Sequence, residues 1–266
     1  MKLGVIGCGK MGGALLGGVL EAGLCAPESV SVHDAFPGAV EAAVTRYGVR
    51  AAGSNAAAVE SSDAVLLCVK PQMFPEMLAS LGGVEGRLLI SIAAGVRLAA
   101  IESAIGGRHR VIRVMPNTPA LVGRGASAYA LGAAATKADA ELTERLLDSV
   151  GMSVRVEEEQ LDAVTALSGS GPAYVFFLIE SLVRAGVEQG LDEATALALA
   201  SQTVAGAAEL LLQTGESPST LRENVTSPNG TTFAALESFR ASGFDRVVRD
   251  AVRAAKDRSV ELGRGG

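Results

Sequence analysis

Two short stretches of this 266-residue chain carry residue types suited to chemistry. Near the start, Gly7, Gly9 and Gly12 form G-x-G-x-x-G within LGVIGCGKMGGALL. In the second half, residues 226–232 (TSPNGTT) interrupt a long helical pattern, in LRENVTSPNGTTFAALESF. The glycine pattern means little by itself in a chain with 32 glycines. Its context gives it meaning, because an apolar strand-like run precedes it and a helical run follows. Gly7 and Gly9 then let the backbone turn tightly and approach a pyrophosphate, while Gly12 lets helix pack on strand. The backbone amides at the helix start, through Lys10 and Met11, bind the phosphates. The plain alternative is a glycine turn that binds nothing. In the later stretch, Ser227, Gly230, Thr231 and Thr232 place hydroxyls and backbone amides just before a helix, which is the make-up of a carboxylate nest. A surface loop is the alternative there.

Other residues belong with the glycine turn. Asp34 follows Gly12 by 22 residues, near the spacing of an acid that holds the ribose hydroxyls of NAD and repels the extra phosphate of NADP. The next arginine is Arg46, so the sequence leans towards NADH or dual use. Asn55 is placed to reach the ribose side. Val69-Lys70-Pro71 and Met115-Pro116-Asn117 end apolar runs, and in doubly wound sheets ligands bind beyond strand carboxyl ends. Lys70 and Asn117 are therefore expected near a nicotinamide, against the simpler readings of a solvated lysine and a turn residue. Cys8, inside the glycine turn, reads as a small filler.

What is missing narrows the reaction. The only histidines are His33 and His109, and no lysine lies between Lys137 and Lys256. Oxidising an alcohol usually needs such a base for the hydroxyl proton. Reducing an imine needs less, because a protonated cyclic imine brings its own proton. Orientation, a grip on its carboxylate and a hydrogen bond to the ring nitrogen suffice.

These residues need elements to hold them. Strand-like runs occur at 3–7, 30–33, 64–69, 87–93, 110–115, 126–131 and 153–156, with helical spacing between them. Thr136 and Asp139 stand in capping-box positions before one such helix. This alternation predicts an α/β fold with a doubly wound parallel sheet covered on both faces. After Glu157 the strand-like runs stop and the chain reads as helices, with Asp192 as a cap and Pro172 in a first turn. The boundary is expected near 157, giving domains at 1–157 and 158–266. The helix at 192–213 is apolar nearly all round, so a second subunit is expected to cover it.

The net charge of −6 and the lack of a basic stripe argue against a nucleic-acid partner. Cys8, Cys25 and Cys68 fit neither a disulfide framework nor a metal site, so a reducing cytoplasm is expected, with no metal. The uncharged stretch 194–208 is short and contains Ser, Thr and Gln, so no membrane span is expected.

LSGSGPAYVF, LRENVTSPNGTT, RVMPNTP, VKPQ and the N-terminal glycine motif, in this order over essentially the whole chain, resemble the pyrroline-5-carboxylate reductases. The resemblance implies an N-terminal Rossmann domain and a C-terminal helical domain interlocked with its mate in a homodimer, often assembled further into decamers. It implies hydride transfer from NADPH or NADH to the C=N bond of 1-pyrroline-5-carboxylate, forming L-proline. It also implies that the 226–232 turn binds the substrate carboxylate, with Thr232 near the ring nitrogen. Thr232 and Lys70 are the catalytic candidates, and Tyr174 comes after them. The family usually reads Ser-Pro-Gly-Gly where this chain has Asn229, a residue that tolerates left-handed backbone angles. Reduction of a related cyclic imino acid and NADPH sensing without catalysis are the competing readings.

Overall fold

Every residue of the first strand, β1 (Leu3–Ile6), is buried, as expected where helices cover both faces of a sheet. The computed structural model describes residues 1–264. It divides into two compact units, one of Met1–Ser170 with the chain from Ala255 on, the other of Gly171–Ala254.

The first unit is built on an eight-stranded sheet. After β1 come β2 (Val30–His33), β3 (Arg50–Ala51), β4 (Ala64–Leu67), β5 (Leu88–Ser91), β6 (Arg110–Met115), β7 (Gly125–Leu131) and β8 (Gly151–Arg155). Their order is β3-β2-β1-β4-β5-β6-β7-β8. Helices α1 (Lys10–Glu21), α2 (Pro37–Tyr47), α3 (Asn55–Glu60), α4 (Phe74–Ala79), α5 (Leu98–Ala104) and α6 (Lys137–Asp148) lie between the strands. Side chains alternate across the sheet, so Leu3, Val5, Leu66 and Ile90 pack in one core with Leu15, Leu16 and Leu146. Ile6, Val65, Leu67 and Leu89 pack in the other with Phe74, Met77 and Ile101.

Two features depart from the expected sheet. β6 and β7 are antiparallel, because the link from Met115 to Gly125 is too short for the crossover that a parallel pair requires. β3 is a two-residue exposed strand, with no periodic pattern to announce it. The expected capping box is present, with the Thr136 hydroxyl donating to Asp139 Oδ2 at 2.7 Å and accepting from the Asp139 N–H at 3.2 Å.

After α7 (Leu161–Val164), one π-helical turn, Thr165–Gly169, leads to the end of this unit. Two carboxylates tie its later segments together. Glu158 accepts from the Leu98 N–H at 2.7 Å and from Arg113 at 3.0 Å. Asp162 accepts from Arg97 at 3.1 Å and from the Ser259 hydroxyl at 2.7 Å. These bonds gather residues just past 157 and the C-terminal helix end into the sheet unit.

The second unit is helical: α8 (Gly171–Glu188), α9 (Glu193–Thr214), α10 (Pro218–Asn224), α11 (Thr231–Ala241) and the start of α12 (Phe244–Arg264). Asp192 caps α9 by accepting from the Thr195 N–H at 2.9 Å. A Cβ on Gly186 would lie 3.2 Å from the Ala196 Cβ, so the glycine lets α8 and α9 approach closely. Ala196 is the one buried apolar residue of this unit among the described residues.

Candidate functional site

The glycine turn between β1 and α1 uses its three glycines differently. Gly7 has φ +98°, and a Cβ there would lie 2.6 Å from the Cys68 carbonyl carbon. A Cβ on Gly12 would fall on the Gly7 carbonyl oxygen. At Gly9 a Cβ would meet nothing within 4 Å. Gly9 also caps α1, whose first turn has no side-chain cap and no acid. The leading amides of a helix lack intrahelical partners, and here they stand open beside a groove.

That groove, a cavity of about 710 Å³, is lined by Gly7, Gly9, Asp34, Asn55, Val69 and Lys70 among others. It lies where the strand order turns back at β1 and β4, the place at which doubly wound sheets bind ligands. Asp34 accepts from the Cys8 N–H at 2.7 Å and from the Phe36 N–H at 2.9 Å. Asn55 donates to the Ser80 hydroxyl at 2.8 Å, while its Oδ1 is buried without a partner. An orphaned buried acceptor beside open glycine backbone fits a ribose hydroxyl. Lys70 is exposed at the head of the 3₁₀ turn Pro71–Met73.

Other expected residues take different places. Asn117 is committed within the protein. Its Oδ1 accepts from the Ala126 N–H at 2.8 Å, and its Nδ2 lies 3.2 Å from both the carbonyl and the hydroxyl oxygen of Ser168. It does not line the groove. The cause is local, since Pro172, four residues after Ser168, has no N–H to give that carbonyl. Lys10 lines a separate cavity with Arg46 and Tyr47, so its backbone N–H is what it holds at the helix start. Met11 packs against the core. Burial first, then the Asp34 carboxylate, push the Cys8 thiol up to about 11, which keeps it protonated and unreactive.

The sequence reading missed part of the wall. Met73, Glu76, Met77 and Ser80 also line the groove, and their spacing of three and four residues was the available signal of a shared helical face.

In the second unit, the Gly230 N–H closes the turn on the Ser227 carbonyl at 3.0 Å. Asn229 has φ +58°, the one non-glycine residue in that region among the described residues. Asparagine is thus tolerated where the pattern favours glycine. A Cβ on Gly230 would strike the Ser227 hydroxyl. Gly230 caps α11 without a side-chain bond, and the first turn has no acid. Thr231 and Thr232 open that helix, with Thr232 half-buried.

Comparison with known proteins gives this geometry a family. A pyrroline-5-carboxylate reductase dimerisation domain matches residues 158–262. A domain described as NADP oxidoreductase, coenzyme F420-dependent, matches residues 2–95. The chain is 42% identical to the pyrroline-5-carboxylate reductase of Methanosarcina acetivorans, over 99% of this chain and 98% of the relative. It belongs to the pyrroline-5-carboxylate reductase family. The corresponding reductase of Pseudomonas aeruginosa is 41% identical over 98% of this chain and 96% of its own.

The reductase fold recurs in solved structures. A pyrroline-5-carboxylate reductase from Coxiella burnetii superposes with a TM-score of 0.93 at 33% identity, covering 98% of each chain. A Plasmodium falciparum pyrroline carboxylate reductase with NADP bound gives 0.87 at 31%, covering 99% of this chain and 98% of its own. An N-terminal NAD(P)-binding Rossmann unit and a C-terminal reductase dimerisation domain account for the two matched segments. The dimerisation domain makes the family chain a homo-oligomer former. It also bears on two helical runs, Glu158–Glu188 and Glu193–Thr214, of 31 and 22 residues, each containing an apolar stretch long enough to suit a membrane span. The second run extends past the 194–208 stretch considered in the sequence, and a partner subunit is the cover its family match supplies.

Proposed function

We propose that the chain catalyses reduction of the C=N bond of 1-pyrroline-5-carboxylate by NAD(P)H to form L-proline, the last step of proline biosynthesis. The observation that carries this reading is the full-length 42% identity to a pyrroline-5-carboxylate reductase. When bound, the reduced nicotinamide supplies the hydride. The amides of Lys10, Met11 and Gly12 hold the pyrophosphate over the open face of Gly9, and Gly7 sets the turn. Asp34 and Asn55 hold the ribose side. Val69, Lys70 and Pro71 border the nicotinamide end, beyond the carboxyl end of β4.

The substrate carboxylate is held by the Ser227 hydroxyl and the amides of Gly230, Thr231 and Thr232, at an uncapped helix start suited to an anion. The Thr232 hydroxyl oxygen accepts from the iminium N–H and fixes the imine carbon for attack. Because the iminium arrives protonated, the turn needs no general base, consistent with its lack of histidine and lysine. Lys70, a cation on the groove wall, is the second catalytic group. Residues 158–266 form the substrate-binding and dimerisation domain, and the homodimer assembles further into a decamer. The cytoplasm is the compartment, a reading supported by three free cysteines.

Steady-state kinetics on cyclic imino acids with five- and six-membered rings test the substrate. A kcat/KM at least tenfold higher for the five-membered ring supports the assignment. Preference for the six-membered ring removes it.

A further inference from the structure

Asp34 ends the link from β2 into the groove, and its carboxylate is not free to swing. The Cys8 N–H of the glycine turn holds Oδ2 at 2.7 Å, and the Phe36 N–H holds Oδ1 at 2.9 Å. A carboxylate has about four acceptor sites, so both oxygens keep capacity at fixed positions. Asn55 adds a second fixed acceptor, because its NH₂ is anchored on Ser80 and its buried Oδ1 faces no protein donor. Both residues line the same groove. Two acceptors call for donors, which ribose hydroxyls supply and a phosphate dianion does not.

The segment that follows Asp34 supplies no cation. It runs Ala35, Phe36 and Pro37. Among the described residues lining the groove, Lys70 is the one lysine or arginine, and Glu76 adds a second acid. Arg46 lies along the other cavity, with its guanidinium 5.0 Å from the Tyr47 ring centre. A 2′-phosphate would meet a carboxylate that two backbone bonds prevent from turning away.

We propose that this chain selects NADH over NADPH, with the pinned Asp34 as the specificity-determining residue. This rests on the reductase reading above, and it sets the chain apart from the Plasmodium falciparum relative with NADP bound.

Fluorescence titration of the purified protein gives Kd for NADH and NADPH at low and high salt. The wild type is expected to bind NADH at least tenfold more tightly, and the ratio should narrow with salt as the repulsion is screened. Asp34→Ser should bind NADPH more tightly than the wild type does. Asp34→Asn, which keeps one acceptor and loses the charge, should gain NADPH affinity to a lesser degree. Structural damage lowers affinity for both nucleotides, so a gain identifies the charge effect. Equal affinities in the wild type, tighter NADPH binding, or no gain in either variant would overturn the proposal. A wild type that binds neither nucleotide overturns the dinucleotide reading beneath it as well.

Discussion

Asn229 holds φ +58° between Pro228 and Gly230, so the chain reverses just before α11 and leaves the hydroxyls of Ser227, Thr231 and Thr232 around one helix start. In the mechanism, Thr232 holds the iminium N–H and so orients the carbon that receives hydride, while Ser227 acts on a carboxylate that changes little. Orientation of the reacting carbon acts on kcat, whereas uniform binding lowers KM. Thr232→Ala should therefore reduce kcat by roughly ten- to a hundredfold, since a hydrogen bond of about 1–3 kcal/mol converts at about 1.4 kcal/mol per tenfold. Its nucleotide affinity should match the wild type. Ser227→Ala should mainly raise KM. Full activity in a normally melting Thr232→Ala would remove the turn from catalysis. At this scale the sequence was legible where backbone chemistry dictated residue type, as at Gly7, Gly12 and Asn229. What the sequence did not show is that the Asn117 side chain is engaged by Ser168 and the Ala126 N–H.

The Asn117 side chain braces the π-helical turn Thr165–Gly169 by donating to the Ser168 carbonyl, to which Pro172 has no N–H to give. Asn117→Ala removes this partner from that half-buried carbonyl and from the Ala126 N–H, at a cost of about 1–3 kcal/mol. A lower thermal midpoint with unchanged nucleotide affinity is the expected outcome, and weakened nucleotide binding at unchanged stability would return Asn117 to the cofactor site. The cap of α6 makes a pH-dependent contribution. Burial raises the Asp139 carboxyl, but bonds from Arg110 at 2.8 Å and from Thr136 outweigh it and hold it below its ordinary value. A depressed folded pKa gives stability that is present above the ordinary carboxylate value and lost as pH falls through the folded one. The thermal-midpoint advantage of wild type over Asp139→Asn should therefore shrink below about pH 4. An advantage that stays constant to lower pH would show that the carboxylate charge is not its source. The long apolar strands and capped helices were readable from period and caps. β3, with two exposed residues, and α10, with seven, were too short to show a period. The reversal at β7 was hidden because strand direction depends on link length and not on side chains.

Phe176 and Phe177 on α8 are 61% and 64% exposed in the single chain, and Leu199 and Leu212 on α9 are 56% and 74% exposed. So much bare apolar surface on a family dimerisation domain demands a partner, since monomers rarely carry large contiguous apolar patches. Light scattering at micromolar concentration should return at least twice the chain mass of 27.0 kDa, and twice that value alone would exclude the decamer. A monomer at 27.0 kDa would defeat the assignment of these helices to an interface between copies. The need for a second subunit was visible in the sequence as a helix lacking a polar face, whereas the long-range bonds of Glu158, Asp162 and Ser259 were not, because each finds its partner far along the chain. The central claim is the reaction itself, and the most direct measurement incubates the purified protein with synthetic 1-pyrroline-5-carboxylate and reduced nucleotide, quantifying both nucleotide loss and L-proline. Equal amounts of nucleotide oxidised and L-proline formed are the predicted result. Nucleotide binding without proline formation, in a correctly folded oligomer, would contradict it.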